Sequence, residues 1–370
     1  MTRLTSLSTT ALPGLPDTRL DLLPVTALVG PRGSGKSRVL SAISWLLTGK
    51  PEPARPPLPP DFHVEGSLGT GDERVTIVRS MASAPRVTLP SCTLLTARGR
   101  LVPNGPPSPG SVGLSPAERM IGWIEDRRRA GESGRVLLIE EPELDLNPHA
   151  QRYLYRILRG YAEKNQVVYS TRSASFVDAA HHQEIVRLDI DDGFAVRRAP
   201  PELLTDAERL RLAAEFDHER SEMFFANAVV LVEGQTERQS LPVIFRALGH
   251  DPDAAGISIT EVGGKGNLII AARLLAELRI PHLLVYDSDR GRPGAIENKV
   301  IAAAVGRTPQ FMLEPDFEAA AGIRSRDDKV LRAWKRFAEA PPERVPAVFR
   351  AIVETAVRLA RGGAPTRPPA

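Results

Sequence analysis

The chain has 370 residues, 42% apolar and 25% charged, an ordinary globular mixture that excludes a wholly disordered chain and a coiled-coil rod. The formal charge of +3, from 48 basic and 45 acidic residues, is too small a surplus to point by itself to a nucleic-acid partner. No run of eighteen apolar residues offers a membrane span, residues 1–12 lack the apolar core of a secretory signal, and the one cysteine, Cys92, excludes an internal disulfide and argues against a cysteine-based metal site, so a cytoplasmic protein is expected.

Residues 25–29 form a short apolar run before a Gly-rich turn, and residues 37–47 place Val39, Leu40, Ile43, Leu46 and Leu47 at helical spacing. Residues 75–78 and 86–89 read as short strands, 136–139 as a fully buried strand, 150–161 as a helix and 167–170 as a further strand. Proline-rich runs at 51–60 and 103–110, and the terminal GGAPTRPPA, read as connectors and a frayed tail, because proline continues neither a helix nor a central strand. The charged, Leu-rich stretch 201–222 predicts one or two connecting helices. A second series follows, with strands at 229–232, 257–262, 283–286 and 310–313 and helices at 236–248 and 268–278. Strands alternating with helices predict an α/β protein built on parallel sheets. The predicted division is a first domain at 1–199, a helical linker at 200–227, a second domain at 228–361 and a disordered tail at 362–370.

Residues 30–37, GPRGSGKS, match the phosphate-binding loop pattern and lie between a predicted strand and a predicted helix. Gly30, Gly33 and Gly35 let backbone N–H groups of the loop, Ser34 included, turn toward a phosphate. Lys36 brings a cation to the β- and γ-phosphates of ATP, and Ser37 offers a hydroxyl to Mg²⁺ at a helix N-terminus. The strand 136–139 ends in Glu140 and Glu141, where a carboxylate binds the metal (Glu140) or activates the attacking water (Glu141); the bland alternative is a turn cap. Ser115, with Glu118 three residues on, forms a capping box.

Three of these motifs, in their order, make the first domain resemble the ATP-binding-cassette (ABC) ATPases. The resemblance implies that GLSPAER, residues 113–119, is the signature sequence, whose Ser115 meets the γ-phosphate held by a second subunit, and hence a homodimer. It also implies a switch at 170–173, where Arg172 replaces the usual His and cannot accept a proton. The stretch between Lys36 and Gly113 is short for such a domain, which implies a trimmed lobe.

In the second series the strand 229–232 leads into Glu233-Gly234-Gln235-Thr236-Glu237, and the strand 283–286 into Asp287-Ser288-Asp289. One helical turn brings Glu237 toward Glu233, and alternation along an extended chain puts Asp287 and Asp289 on one side. The carboxyl ends of parallel strands share one edge, so these acids can converge there and repel unless cations sit among them. Oxygen donors without Cys or His suit Mg²⁺ or Mn²⁺. This order of acids resembles the Toprim fold, with Glu233 as acid/base group or metal ligand. Between them EVGGKGN, residues 261–267, offers Lys265 as a phosphate contact, or is a plain strand-to-helix turn.

An ABC-type ATPase followed directly by Toprim resembles the OLD (overcoming lysogenisation defect) family of ATP-dependent nucleases, most specifically in EEPELDLNP (140–148) and FFANAVVLVEG (224–234). The resemblance implies an ATP-regulated, two-metal DNA endonuclease and a role in phage defence or DNA repair. It also implies Glu318 as an additional metal ligand, with Glu314 as the fallback, and Lys329 as the catalytic lysine, unless Lys329 is only a solvated helix-end cation. A nucleotide-gated DNA sensor with a silent Toprim domain is the alternative. A topoisomerase-like role is disfavoured, since no further domain remains to present a tyrosine nucleophile.

Overall fold

The computed structural model describes residues 2–49, 61–70, 73–80, 82–96, 115–190, 194–289, 295–323 and 328–362. The chain packs as two units, Met1–Val177 with Gln183–Arg198, and Asp178–His182 with Ala199–Ala370.

Among the described residues, the first unit holds strands β1 (Arg3–Thr10), β2 (Thr18–Asp21) and β3 (Val25–Val29), helix α1 (Lys36–Thr48), and strands β4 (His63–Thr70), β5 (Glu73–Ser80) and β6 (Ser91–Thr96). Helix α2 (Pro116–Arg129), strand β7 (Arg135–Glu140), helix α3 (Pro148–Ala162) and strands β8 (Gln166–Ser170), β9 (Ile185–Asp189) and β10 (Ala195–Arg197) follow. They make an antiparallel sheet in the order β2-β1-β4-β5 and a mainly parallel sheet in the order β10-β9-β3-β8-β7-β6. All five residues of β3 are buried, as a central parallel strand covered on both faces requires. Along β7, Val136 and Leu138 join a core shared with α1 and the antiparallel sheet, while Leu137 and Ile139 join a core with α2 and α3. That strict alternation makes the strand a layer between two cores.

The expected strand at 86–89 is irregular chain. It lies between Pro85 and Pro90, which fix φ and offer no N–H to a ladder. The edge strand is β6, paired in parallel with β7.

Among the described residues, the second unit holds α4 (Asp206–Glu215), β11 (Ala228–Val232), α5 (Gln235–Ala247), α6 (Pro252–Ala255), β12 (Ile257–Glu261), α7 (Lys265–Glu277), β13 (His282–Asp287) and α8 (Ala295–Val305). It continues with β14 (Gln310–Leu313), α9 (Phe317–Ala320), α10 (Lys329–Ala338) and α11 (Ala347–Ala360). Its sheet is wholly parallel, in the order β12-β11-β13-β14. Val230, Val232, Leu283 and Val285 face a core with α5, α10 and α11, in which Phe349 packs against Phe317 and Phe337 at ring-centroid distances of 5.3 and 5.8 Å. The intervening Val229 and Leu231 are buried too, and α7 packs on β11 and β13. The chain order has moved from β11 at the sheet's centre out to β12 and back to β13, so the carboxyl ends of β11 and β13 lie side by side at a switch point. The tail from residue 363, and Gly113 and Leu114 of the signature stretch, lie outside the described residues. No helix among the described residues is long and apolar enough to cross a membrane.

Candidate nucleotide and metal sites

In the first unit the loop after β3 closes on itself. Gly30 has φ +136°, and a Cβ there would run into the backbone carbonyl of Leu188, so only glycine fits. Gly33 and Gly35 also have positive φ, and Gly35 caps α1. Lys36 lies in the loop it follows: Nζ donates to the carbonyls of Gly30 at 2.7 Å and Pro31 at 2.8 Å and reaches Ser34 Oγ at 3.4 Å. Burial, and then the nearby Arg172 charge, push its pKa down to about 8. The Ser37 hydroxyl donates to Glu140 Oε1, which joins the loop to the end of β7.

Glu141 stands one residue beyond β7 with φ +49°, and its carboxylate pairs with Arg172 Nε at 3.0 Å. Its amide donates to the Ser170 carbonyl at 2.9 Å, fixing the turn. Glu143, quoted above only as part of its motif, carries the next link. One of its oxygens accepts from the Arg172 amide at 2.7 Å and the other from the Thr171 hydroxyl at 3.0 Å, and burial holds its pKa above the usual carboxylate range. The signal for it was present: it is the third acid of EEPE, just past a buried strand. Ser115 caps α2, its hydroxyl accepting from the Glu118 amide at 3.2 Å while the Glu118 carboxylate accepts from the Ser115 amide at 2.8 Å.

In the second unit the acids gather where β11 and β13 end. Glu233 Oε2 accepts the Asp287 amide at 3.4 Å. Burial raises the pKa of Glu233, with Lys265 opposing. Glu237, on the first turn of α5, is 5% exposed, and burial followed by the Glu233 and Glu318 charges pushes it up to about 7. Asp287 is pushed up to about 8 by burial, then by Glu237, Glu233 and Glu318, and its Oδ1 is buried with no hydrogen-bond partner.

Asp289 departs from the extended geometry expected of it. The strand ends at Asp287, and Asp289 has φ +50° with its amide on the Pro315 carbonyl at 3.1 Å. Its carboxylate is held by Lys265 Nζ at 2.7 Å, and Lys265 is 4% exposed at the start of α7. Glu318, on α9, pairs with Lys329 Nζ at 2.5 Å. Glu314 turns away and accepts from the Ser288 hydroxyl at 3.0 Å. The carboxylates therefore do not stand as a closed cage: among the described residues no group of three or more His, Cys, Asp or Glu side chains is arranged to hold a metal ion. The physical reason is visible in the two lysines, which neutralise Asp289 and Glu318 and draw them onto ammonium groups.

The first unit carries a phosphate loop and an acidic strand end, the second a parallel sheet with acids at its switch point, and a stretch of each matches a domain family. Residues 224–289 match the family described as overcoming lysogenization defect protein-like, TOPRIM domain, and residues 120–178 the family described as AAA domain, putative AbiEii toxin, Type IV TA system. The chain is similar to curated OLD nucleases: it is 33% identical to the OLD nuclease of Thermus scotoductus over 269 residues, 65% of this chain and 51% of that protein. It thus spans about half the length of that relative. Among solved structures, the C-terminal region of the Xanthomonas campestris OLD protein aligns at 23% identity and TM-score 0.29, covering 38% of this chain and 96% of that one. The SMC head domain of Thermotoga maritima aligns at 15% identity and TM-score 0.37, covering 54% and 99%.

Proposed function

We propose that the chain is a divalent-metal-dependent DNA endonuclease whose cutting is regulated by ATP held at Lys36. The observation that carries this reading is the meeting of Glu233 with the Asp287 amide, 3.4 Å apart, at the shared edge of two adjacent parallel strands. The Glu237 and Glu318 charges act on Asp287 there, those of Lys265 and Asp289 act on Glu233, and Lys329 is paired with Glu318. The likeness to the OLD nucleases supports it.

In its chemistry, once Lys265 and Lys329 release Asp289 and Glu318, the donor set suits Mg²⁺ or Mn²⁺: it is all carboxylate oxygen, it is too crowded with acids to be ionised comfortably, and Asp287 Oδ1 is buried without a partner. Glu233, Glu237, Asp287, Asp289 and Glu318 would hold two such ions, which when bound clamp the scissile phosphate and lower the pKa of the attacking water. The remaining work belongs to the chain. Hydrolysis adds a water oxygen to phosphorus, breaks the bond to the 3′ oxygen and returns a proton to that oxygen. Glu233, which accepts the Asp287 amide and whose pKa burial raises, is the group placed to hold the proton between these events. Lys329 leaves Glu318, and Lys265 leaves Asp289, to offset charge on the phosphate.

In the first unit Lys36 exchanges its loop carbonyls for the β- and γ-phosphates, with the backbone of Gly30, Gly33, Ser34 and Gly35 around them. Ser37 and Glu140 hold the Mg²⁺ side, Glu141 orients water, and Arg172 leaves Glu141 for the γ-phosphate. Ser115 acts from a second copy of the chain, which makes the working form a homodimer. Plasmid nicking with Mg²⁺ or Mn²⁺ by wild type and Asp287→Ala tests the reading. Loss of nicking in the variant is expected; equal nicking by both overturns the site. DNA binding without any nicking returns the chain to the alternative, a nucleotide-gated sensor.

A further inference from the structure

Beside Lys329 the second unit leaves a groove of about 610 Å³ between α5 and α10, lined by Thr236 and Gln239 on one side and by Asp328, Lys329, Leu331 and Trp334 on the other. Trp334 is 50% exposed and Leu331 49%. α10 already satisfies its core with Ala333 and Phe337, which are buried, so Leu331 and Trp334 contribute to another surface. The exposed positions between and after them carry cations: Arg332, Lys335 and Arg336.

An apolar floor with Lys329 at its edge, on a helix whose exposed side also carries Arg332 and Lys335, suits a ligand that is flat and apolar on its face and anionic at its edge. A nucleotide has that chemistry, because every base presents a π-face and its backbone a phosphate. The groove is also continuous with the carboxylate cluster through one residue. Lys329 lines it and, at 2.5 Å, holds Glu318. A strand whose phosphate lies at the cluster passes its neighbouring base across the groove. Within a duplex that base is paired and stacked on its neighbours, and cannot lie on an indole. An unpaired base can.

We propose that this groove receives an unpaired base flanking the scissile phosphate, stacked on Trp334 with its edge on the Gln239 amide, which both donates and accepts. The favoured substrate is then DNA that is single-stranded, gapped or frayed at the cut, rather than intact duplex. The inference deepens the nuclease reading and rests on it for the position of the phosphate.

The test uses the full chain with Ca²⁺, an oxygen-binding ion in place of Mg²⁺, and fluorescence anisotropy of two short labelled oligonucleotides with cleavage-resistant phosphorothioate linkages, one single-stranded and one a blunt duplex. Trp334→Ala should weaken single-strand binding about tenfold or more, the worth of one stacked base, and change duplex binding by less than about twofold. Trp334→Phe should keep most of the affinity. Tryptophan emission should be quenched by the single strand in wild type and not in Trp334→Phe, a readout that does not depend on the alanine variant folding. The inference is overturned if both oligonucleotides weaken alike, if neither does, or if wild type does not bind the single strand. Selective binding with no nicking in Mn²⁺ would sink the nuclease reading and leave the groove. Nicking that depends on Asp287, with no Trp334 effect, would do the reverse.

Discussion

Lys36, Arg172, Lys265 and Lys329 each hold an oxygen that a phosphate or a divalent ion would compete for. The Glu141–Arg172 pair gives the clearest test in the first unit. Glu141→Gln keeps the size of the side chain and removes its charge, so ATP turnover should fall about 10²- to 10⁴-fold, the usual worth of a general base, while ATP affinity stays within about threefold. Steady-state phosphate release beside equilibrium binding of a fluorescent ATP analogue checks both halves; equal turnover would remove Glu141 from the role. Lys36 gives a pH prediction. Its pKa is pushed down to about 8, chiefly by burial, and a polyphosphate beside it favours the charged form. Between about pH 8 and the ordinary lysine value of about 10.4, ATP binding should therefore take up close to one proton, and affinity should fall as pH rises through that window. Calorimetry in buffers of different ionisation heat measures the uptake. Proton release, or no proton change at pH 9, would contradict the buried, loop-bound lysine.

Packing decides the elements on which these side chains sit, and α9, α10 and α11 show it. Phe349 packs edge-on or tilted against both Phe317 and Phe337, so the helices bearing Glu318 and Lys329 share one aromatic cluster. Phe349→Ala should cost about 3–5 kcal/mol in a urea melt of the second unit, and a loss below about 1 kcal/mol would show that the cluster carries little. This cluster was not legible in the sequence, because the chain after residue 313 has no apolar strand to anchor the reading, and α11 emerges from its packing on the strands β11, β12, β13 and β14. Buried parallel strands were legible for a physical reason: covered on both faces, β3, β7, β8, β11 and β13 appear as nearly continuous apolar runs. The antiparallel sheet was not. β1 is RLTSLSTT, whose buried Leu4, Leu7 and Thr9 are scattered among hydroxyls and shifted by an irregularity in register between Leu4 and Ser6. The site divides the same way. Motif spacing brought attention to Glu233, Asp287 and Lys36, whereas the left-handed backbone at Asp289, its pairing with Lys265 and the double link made by Glu143 depend on turns that spacing does not encode.

Two units with separate cores imply two separable ligand responses in one chain. A ligand that binds only the folded form stabilises its own unit by RT ln(1 + [L]/Kd), about 2.7 kcal/mol at a hundredfold excess over Kd. Differential scanning calorimetry of the full chain should show ATP with Mg²⁺ raising a transition that Lys36→Ala no longer shifts. Mn²⁺ without nucleotide should raise a transition that Asp287→Ala no longer shifts. The second response would have a specific physical source: divalent ions at this edge would neutralise carboxylates held above their ordinary pKa, and would free Lys265 and Lys329 for phosphate. Each variant should leave the other ligand's response intact. A Mn²⁺ shift that survives Asp287→Ala would place the ions elsewhere, and a Mn²⁺ shift lost in Lys36→Ala would mean that the metal binds at the nucleotide loop, removing the reason to look for cutting at the β11–β13 edge.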